Sequence, residues 1–258
     1  MGRTWRLWLV TASFLFALGG CAGSATDPGT WSEALEGRDL GAIGALLDSP
    51  NADPDQPTDD GKTALMLAAQ HGDAGLVARL VAAGANVNAT NANGGTPLMY
   101  ASLGGNPAVT AQLLAAGARP EQQAKLGWTA LAVAAVKGRT DVVRVLLDGG
   151  ADQRVRDTYG WTPLMRAADS RRLDVVRVLL DAPGADLDAR QEFGATVLHI
   201  AAATGDTDIV RLLLEHGADP TATDARGNTP ATIARAAHHG GVMESLLTGD
   251  AVNAADDT

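Results

Sequence analysis

The 258-residue chain has a single cysteine, Cys21, so an intramolecular disulfide and a cysteine-rich zinc site are both excluded. Aromatic residues make up only 4% of the sequence, too few for a core built on large rings. Lysine is scarcer still: 3 Lys and 17 Arg face 30 Asp plus Glu, a formal net charge of -10. That balance argues against binding a phosphate backbone, which requires clustered cations, so no nucleic-acid partner is expected. The apolar run Leu7 to Leu18 would span about 18 Å as a helix, short of the roughly 30 Å hydrocarbon core of a bilayer. What the chain does have is 46% hydrophobic residues at a mean hydropathy of zero, together with 30 glycines. It is too apolar to be disordered.

The apolar run is preceded by Arg3 and Arg6 and followed by Gly19, Gly20 and Cys21. A positive segment, a short apolar segment and then small residues are the layout of a removable signal peptide, here residues 1–20. Leu18-Gly19-Gly20-Cys21 resembles the lipobox of bacterial lipoproteins, a resemblance that implies a lipid-modified Cys21 as the new first residue. Two or three acyl chains anchor stably where one does not. Ala22 stands where an aspartate would mark inner-membrane retention, so the resemblance implies an outer-membrane lipoprotein of the cell envelope facing the periplasm. The alternative is an ordinary cleavage near Ala22 or Ala25 with a soluble product. Residues 21–30 then form a lipidated tether of small polar residues, and 249–258 an acidic, disordered tail.

Between these ends, 31–248, one pattern repeats. Gly-x-Thr recurs at Gly61, Gly94, Gly127, Gly160, Gly194 and Gly227, with spacings of 33, 33, 33, 34 and 33. The spacing of 34 has a cause: Asp181-Ala182-Pro183-Gly184-Ala185-Asp186 holds one residue more than Asp148 to Asp152. Each unit reads as two short helices and a turn. Thr63 and its counterparts stand where an N-cap hydroxyl would accept from orphan amides, with Pro97, Pro163 and Pro230 next, where a missing amide is harmless. The first helix stops at Gly72, Gly105, Gly138 or Gly205; the second starts behind Asp73, Asn106 or Asp206 and ends at Gly84, Gly117, Gly150 or Gly217. Val142, Val143, Leu146 and Leu147 give the second helix one apolar stripe. The polar stretch between units, such as 86–93, predicts an extended, hairpin-like finger.

Gly94-Gly95-Thr96-Pro97-Leu98, Ala201-Ala202 with Gly205, and Leu212-Leu213-Leu214-Glu215-His216-Gly217-Ala218-Asp219 bring out a resemblance: the chain is similar to ankyrin-repeat proteins over about 31–247. The resemblance implies an all-α ankyrin-repeat solenoid of about seven units, the first and last being degenerate caps. It also implies a non-enzymatic scaffold that binds a protein partner on its concave face. The family's histidine after Thr-Pro-Leu survives only as His199, so threonine-to-histidine bonding is not expected in most units. Arg171 replaces the first terminal glycine of the fifth unit, which predicts an irregular turn there. Repeats of this kind cannot bury an apolar face alone, so stability should be spread along the array.

The five histidines lie in different units at positions the repeat accounts for, and no nucleophile, base and orienting group come together. No catalytic residue, metal site, cofactor or small-molecule substrate is expected. One pattern stands out: Trp128, Tyr159, Trp161 and Phe193, joined by Leu126, flank the repeat glycine at the finger tips. Stacked units would line these up as anchors of a partner-binding face, with Lys125, Lys137, Arg166 and Asp169 as polar contacts. An inhibitor or immunity protein that neutralises a secreted or envelope enzyme by charge steering is an alternative within binding. An envelope hydrolase and a passive spacer are alternatives from other classes.

Overall fold

The computed structural model describes residues 30–253; Cys21, the signal segment 1–20, the tether as far as residue 29 and residues 254–258 lie outside it. Among the described residues there are fourteen α-helices and no strands. They come in seven pairs: α1 (Trp31–Gly37) with α2 (Leu40–Leu46), α3 (Ala64–His71) with α4 (Ala74–Ala82), α5 (Pro97–Gly104) with α6 (Pro107–Ala115), and α7 (Ala130–Lys137) with α8 (Thr140–Asp148). The remaining pairs are α9 (Pro163–Asp169) with α10 (Leu173–Asp181), α11 (Val197–Thr204) with α12 (Thr207–Glu215), and α13 (Pro230–Ala236) with α14 (Gly240–Asn253). Helix α14 continues past residue 248, where composition places the start of the tail. No described helix is long and apolar enough to cross a membrane.

From α3 onward, the first helix of each unit packs against the first helix of the next. The second helices do likewise, so the chain is a solenoid of inner and outer helices. The inner helices are the drier layer. Every residue of α3 from Ala64 to Ala69 is buried, because neighbouring units and the unit's own outer helix enclose it. Alanine makes this possible by letting backbones approach, and Gly104 takes the approach furthest. A Cβ at Gly104 would come within 2.2 Å of the Gln70 carbonyl oxygen on α3. The outer helices bury one stripe only, Val142, Val143 and Leu146 in α8.

The helix ends follow the sequence closely. The hydroxyls of Thr63, Thr96, Thr129, Thr162 and Thr229 accept from the amides of Met66, Met99, Ala132, Met165 and Thr232 at 3.2–3.4 Å. The threonine cap therefore works without the histidine. At Thr196 the histidine takes part: the Thr196 amide donates to His199 Nδ1 at 3.2 Å, and His199 Nε2 lies 3.0 Å from the Asn228 carbonyl. Burial lowers the His199 pKa below the usual histidine value, which favours the neutral ring that accepts at Nδ1 and donates at Nε2.

The turn at Arg171 is regular, contrary to the sequence expectation. Arg171 takes the left-handed conformation itself (φ 55°). Its amide reaches the Ala168 carbonyl at 3.1 Å and that of Arg172 reaches Ala167 at 2.9 Å, matching Gly72 to Ala69 at 3.2 Å and Asp73 to Ala68 at 3.0 Å. The left-handed conformation costs a non-glycine residue about 1–2 kcal/mol, and the Arg171 guanidinium donates across the junction to the Thr204 carbonyl. Other orphan carbonyls at inner-helix ends are met from the following unit, by Asn106 on Gly72 (3.0 Å), Arg139 on Leu103 (3.3 Å) and Arg172 on Val136 (3.1 Å). Arg139 and Arg172 make no side-chain cap on their own helices; their donors are spent on the neighbour instead.

Candidate functional site

Each finger is a turn closed by two backbone bonds: the repeat-glycine amide donates to the carbonyl of the opening residue (2.8–3.0 Å), and the opening residue's amide donates to the carbonyl four residues on. The latter pairs are Thr58–Lys62 (2.8 Å), Asn91–Gly95 (3.1 Å), Ala124–Trp128 (2.8 Å), Asp157–Trp161 (3.0 Å), Gln191–Ala195 (3.1 Å) and Asp224–Asn228 (2.9 Å). The hairpin-like finger is thus a tight turn without a strand ladder. A second set of bonds ties each finger to the next. The carbonyls of the tip residues Asp60, Asn93, Leu126, Tyr159 and Phe193 accept from Ala92, Lys125, Thr158, Glu192 and Ala225 of the following unit at 2.8–3.1 Å. The tips therefore form one continuous row.

The residue that opens the turn organises it. Asn91 Oδ1 accepts from the amides of Asn93 (2.9 Å) and Gly95 (2.8 Å), Asp157 Oδ1 from Tyr159 (2.9 Å) and Trp161 (3.0 Å), and Asp224 Oδ1 from Arg226 (2.8 Å) and Asn228 (2.9 Å). Gln191 accepts from the Phe193 amide. Alanine at 124 has no such acceptor, and in that finger alone the tip residue turns left-handed: Leu126 has φ 64°.

The opening residue also faces the inner helix nine positions later. Asn91 Nδ2 donates to the Tyr100 hydroxyl at 2.8 Å, and Asp157 pairs with Arg166, whose Nε donates to Oδ2 at 2.9 Å. Where position 124 is alanine, the residue nine positions later is Val133. The Asp157 side chain is 4% exposed and that of Arg166 17%, so this ion pair is largely withdrawn from water. The Arg166 guanidinium lies 4.6 Å from the Trp161 ring centroid and 4.9 Å from that of Trp128. Cation–π contact with both rings, together with the carboxylate, fixes the arginine in place.

This geometry divides the residues singled out from the sequence. Trp128 and Trp161 are half-buried packing around Arg166, and Arg166 is committed to Asp157, so these three are structural rather than freely exposed contacts. Leu126 (42% exposed), Tyr159 (38%) and Phe193 (54%) are the tips themselves. With Leu247 they are the exposed large apolar residues among those described, so three of four occupy one position in consecutive units. Lys125 and Lys137 are exposed, with Lys125 Nζ 3.5 Å from Asn93 Oδ1. Asp169 is open to solvent yet crowded by the structure around it. That loss of surrounding water raises its carboxyl above the ordinary range, while the Arg166 charge pulls the other way. Asp157, Asn91 and Ala124, which decide the shape of the fingers, are not apparent from the repeat glycines and threonines. The nine-residue spacing of Asn91 to Tyr100 and Asp157 to Arg166 is the signal that marks them.

A family model described as ankyrin repeats (3 copies) matches residues 32–124 and 104–191, and a second, ankyrin repeats (many copies), matches 184–234. The crystal structure of the human ASB11 ankyrin repeat domain is similar at 28% identity and a TM-score of 0.73, over 84% of this chain and 96% of that one. No curated protein matches the sequence. Seven stacked helix pairs, threonine caps, a row of fingers and family matches over most of the length have one reading: the chain belongs to the ankyrin-repeat family, whose fold is typically a non-enzymatic scaffold for protein–protein interaction.

Proposed function

We propose that this scaffold is a lipid-anchored protein of the bacterial cell envelope, held by Cys21 at the outer membrane and presenting its concave side to a protein partner in the periplasm. The observation that carries the binding part is the unbroken row of exposed Leu126, Tyr159 and Phe193, tied tip to tip by backbone bonds. Large apolar side chains on a rigid frame lose little entropy on docking, which is what makes such residues effective anchors. The anchoring part rests on the signal-like segment and the Leu18-Gly19-Gly20-Cys21 motif.

Two measurements test the two parts separately. In a bacterial host fed a labelled fatty acid, the wild-type chain should take up label and Cys21→Ser should not; equal labelling would remove the anchor. In affinity capture from an envelope fraction, Tyr159→Ala combined with Phe193→Ala should lose proteins that the wild type retains. An unchanged set would remove the tips from the binding surface.

A further inference from the structure

We infer that the surface between the third and fifth finger tips receives a protein segment with a lysine or arginine beside apolar side chains, the cation meeting Asp169 and the apolar groups Leu126, Tyr159 and Phe193. The inference rests on the scaffold reading above and adds the chemistry of the partner.

Charge within the surface decides it. Arg166 is the cation nearest its centre, but Asp157 neutralises it and two tryptophan rings hold it in place, leaving it little freedom to meet an incoming anion. Asp169 lies one helical turn further along α9, exposed and with no ion pair. Asp157, in the finger, cancels the charge of Arg166 and leaves Asp169 as the carboxylate of α9 without an ion pair, within a chain of formal charge -10. A cation arriving there would gain an unpaired carboxylate at the protein surface, where such a pair is stronger than between ions in bulk solvent. The rise of α9 places Asp169 about 10 Å from the Thr162 cap, so an extended segment of four or five residues would bridge from the tips to the carboxylate. Lys125 and Lys137, at the third finger tip and the end of α7, are exposed cations flanking this surface; Arg171, two residues past Asp169, is exposed too, but its guanidinium is turned to the Thr204 carbonyl. The two lysines oppose a second basic group at those two places and so favour a segment with one cation rather than a polybasic one.

The test is a random-peptide display library panned against the full chain, followed by titration of the most enriched peptide. Enriched peptides should carry one Lys or Arg near aromatic or aliphatic residues. Asp169→Asn should weaken the leading peptide at least tenfold and flatten its salt dependence. The variant keeps the fold, since no hydrogen bond or ion pair of the Asp169 side chain supports the helix. Tyr159→Ala with Phe193→Ala should weaken binding as much while leaving the salt dependence in place. Enriched peptides that are acidic or uncharged, or affinity indifferent to Asp169→Asn, overturn the inference while leaving the scaffold reading intact if the tip variants still abolish binding. Affinity indifferent to the tip variants removes the reading of the tips as well. An unenriched library overturns the inference, and so does tip-dependent sedimentation of the full chain with anionic phosphatidylglycerol vesicles, which would assign the apolar row to a lipid surface.

Discussion

The second and fourth fingers share a backbone turn and stabilise it by different chemistry. In the second, the neutral amide of Asn91 spans two tip amides and the Tyr100 hydroxyl; Gly95 leaves room for it, since a Cβ there would stand 3.2 Å from Asn91 Oδ1. In the fourth, the carboxylate of Asp157 does the same work for the amides of Tyr159 and Trp161, while Arg166 takes the place of the tyrosine and Trp161 the place of the glycine. The third finger has neither device, only Ala124 with Val133 nine positions later, and the strain surfaces as a left-handed leucine. The turn is therefore common property of the repeat. What fills it is local, and each filling leaves a different thermodynamic mark.

The charged finger should be the most fragile. Asp157→Ala leaves Arg166 without its carboxylate and two tip amides without an acceptor, a loss of about 3–5 kcal/mol by analogy with broken buried ion pairs. Urea unfolding monitored by circular dichroism should show it; a loss below 1 kcal/mol would mean that the tryptophan stack holds the finger unaided. The neutral finger should instead be vulnerable to alkali. Burial pushes the Tyr100 phenol up to about 12 from 10, with the Asn91 hydrogen bond opposing. Since the folded form holds its proton more tightly than the unfolded one, stability is intact below pH 10 and falls as pH rises through 12. The full loss is about 2–3 kcal/mol at 1.36 kcal/mol per unit. Tyr100→Phe should abolish that alkaline slope; a slope unchanged in the variant would assign it elsewhere.

Smaller effects sharpen the contrast. Asn91→Ala should cost about 1–2 kcal/mol, less than Asp157→Ala, because it exposes the same two amides but strands no charge. Equal losses in chemical denaturation would show that the turn amides dominate and the ninth-residue partner is secondary. Leu126→Gly should raise stability by up to about 1 kcal/mol, since glycine accepts the left-handed conformation without strain. The same variant should weaken the captured peptide. A lowered melting temperature for Leu126→Gly would show that the leucine side chain packs more than it strains.

The solenoid was legible because Gly61-x-Thr63 and its five successors mark turn and cap together, and both are backbone requirements that admit few residue types. The row of tips followed from the same arithmetic. What the spacing could not convey was the direction of each ring. Trp128 and Trp161 flank the repeat glycine as Tyr159 and Phe193 do, but they precede the threonine cap and so lie under the turn, where Arg166 waits. A repeat position fixes where a Cα lies; the partner that captures the side chain sits nine residues away and differs from unit to unit. Arg171 shows the converse error, in which a missing glycine suggested an irregular turn while the arginine took the left-handed conformation and bonded to Thr204.

The surplus residue between Asp181 and Asp186 is taken up just beyond α10, where Gln153 Nε2 donates to the carbonyls of Ala182 (3.1 Å) and Pro183 (3.0 Å). Because that slack is absorbed before the chain climbs back to the next finger, Phe193 keeps step with Tyr159 despite the longer path. The array thus has a place where its length is free to drift while its phase is not, and a lineage could lengthen or shorten the chain there without reshuffling the surface it offers.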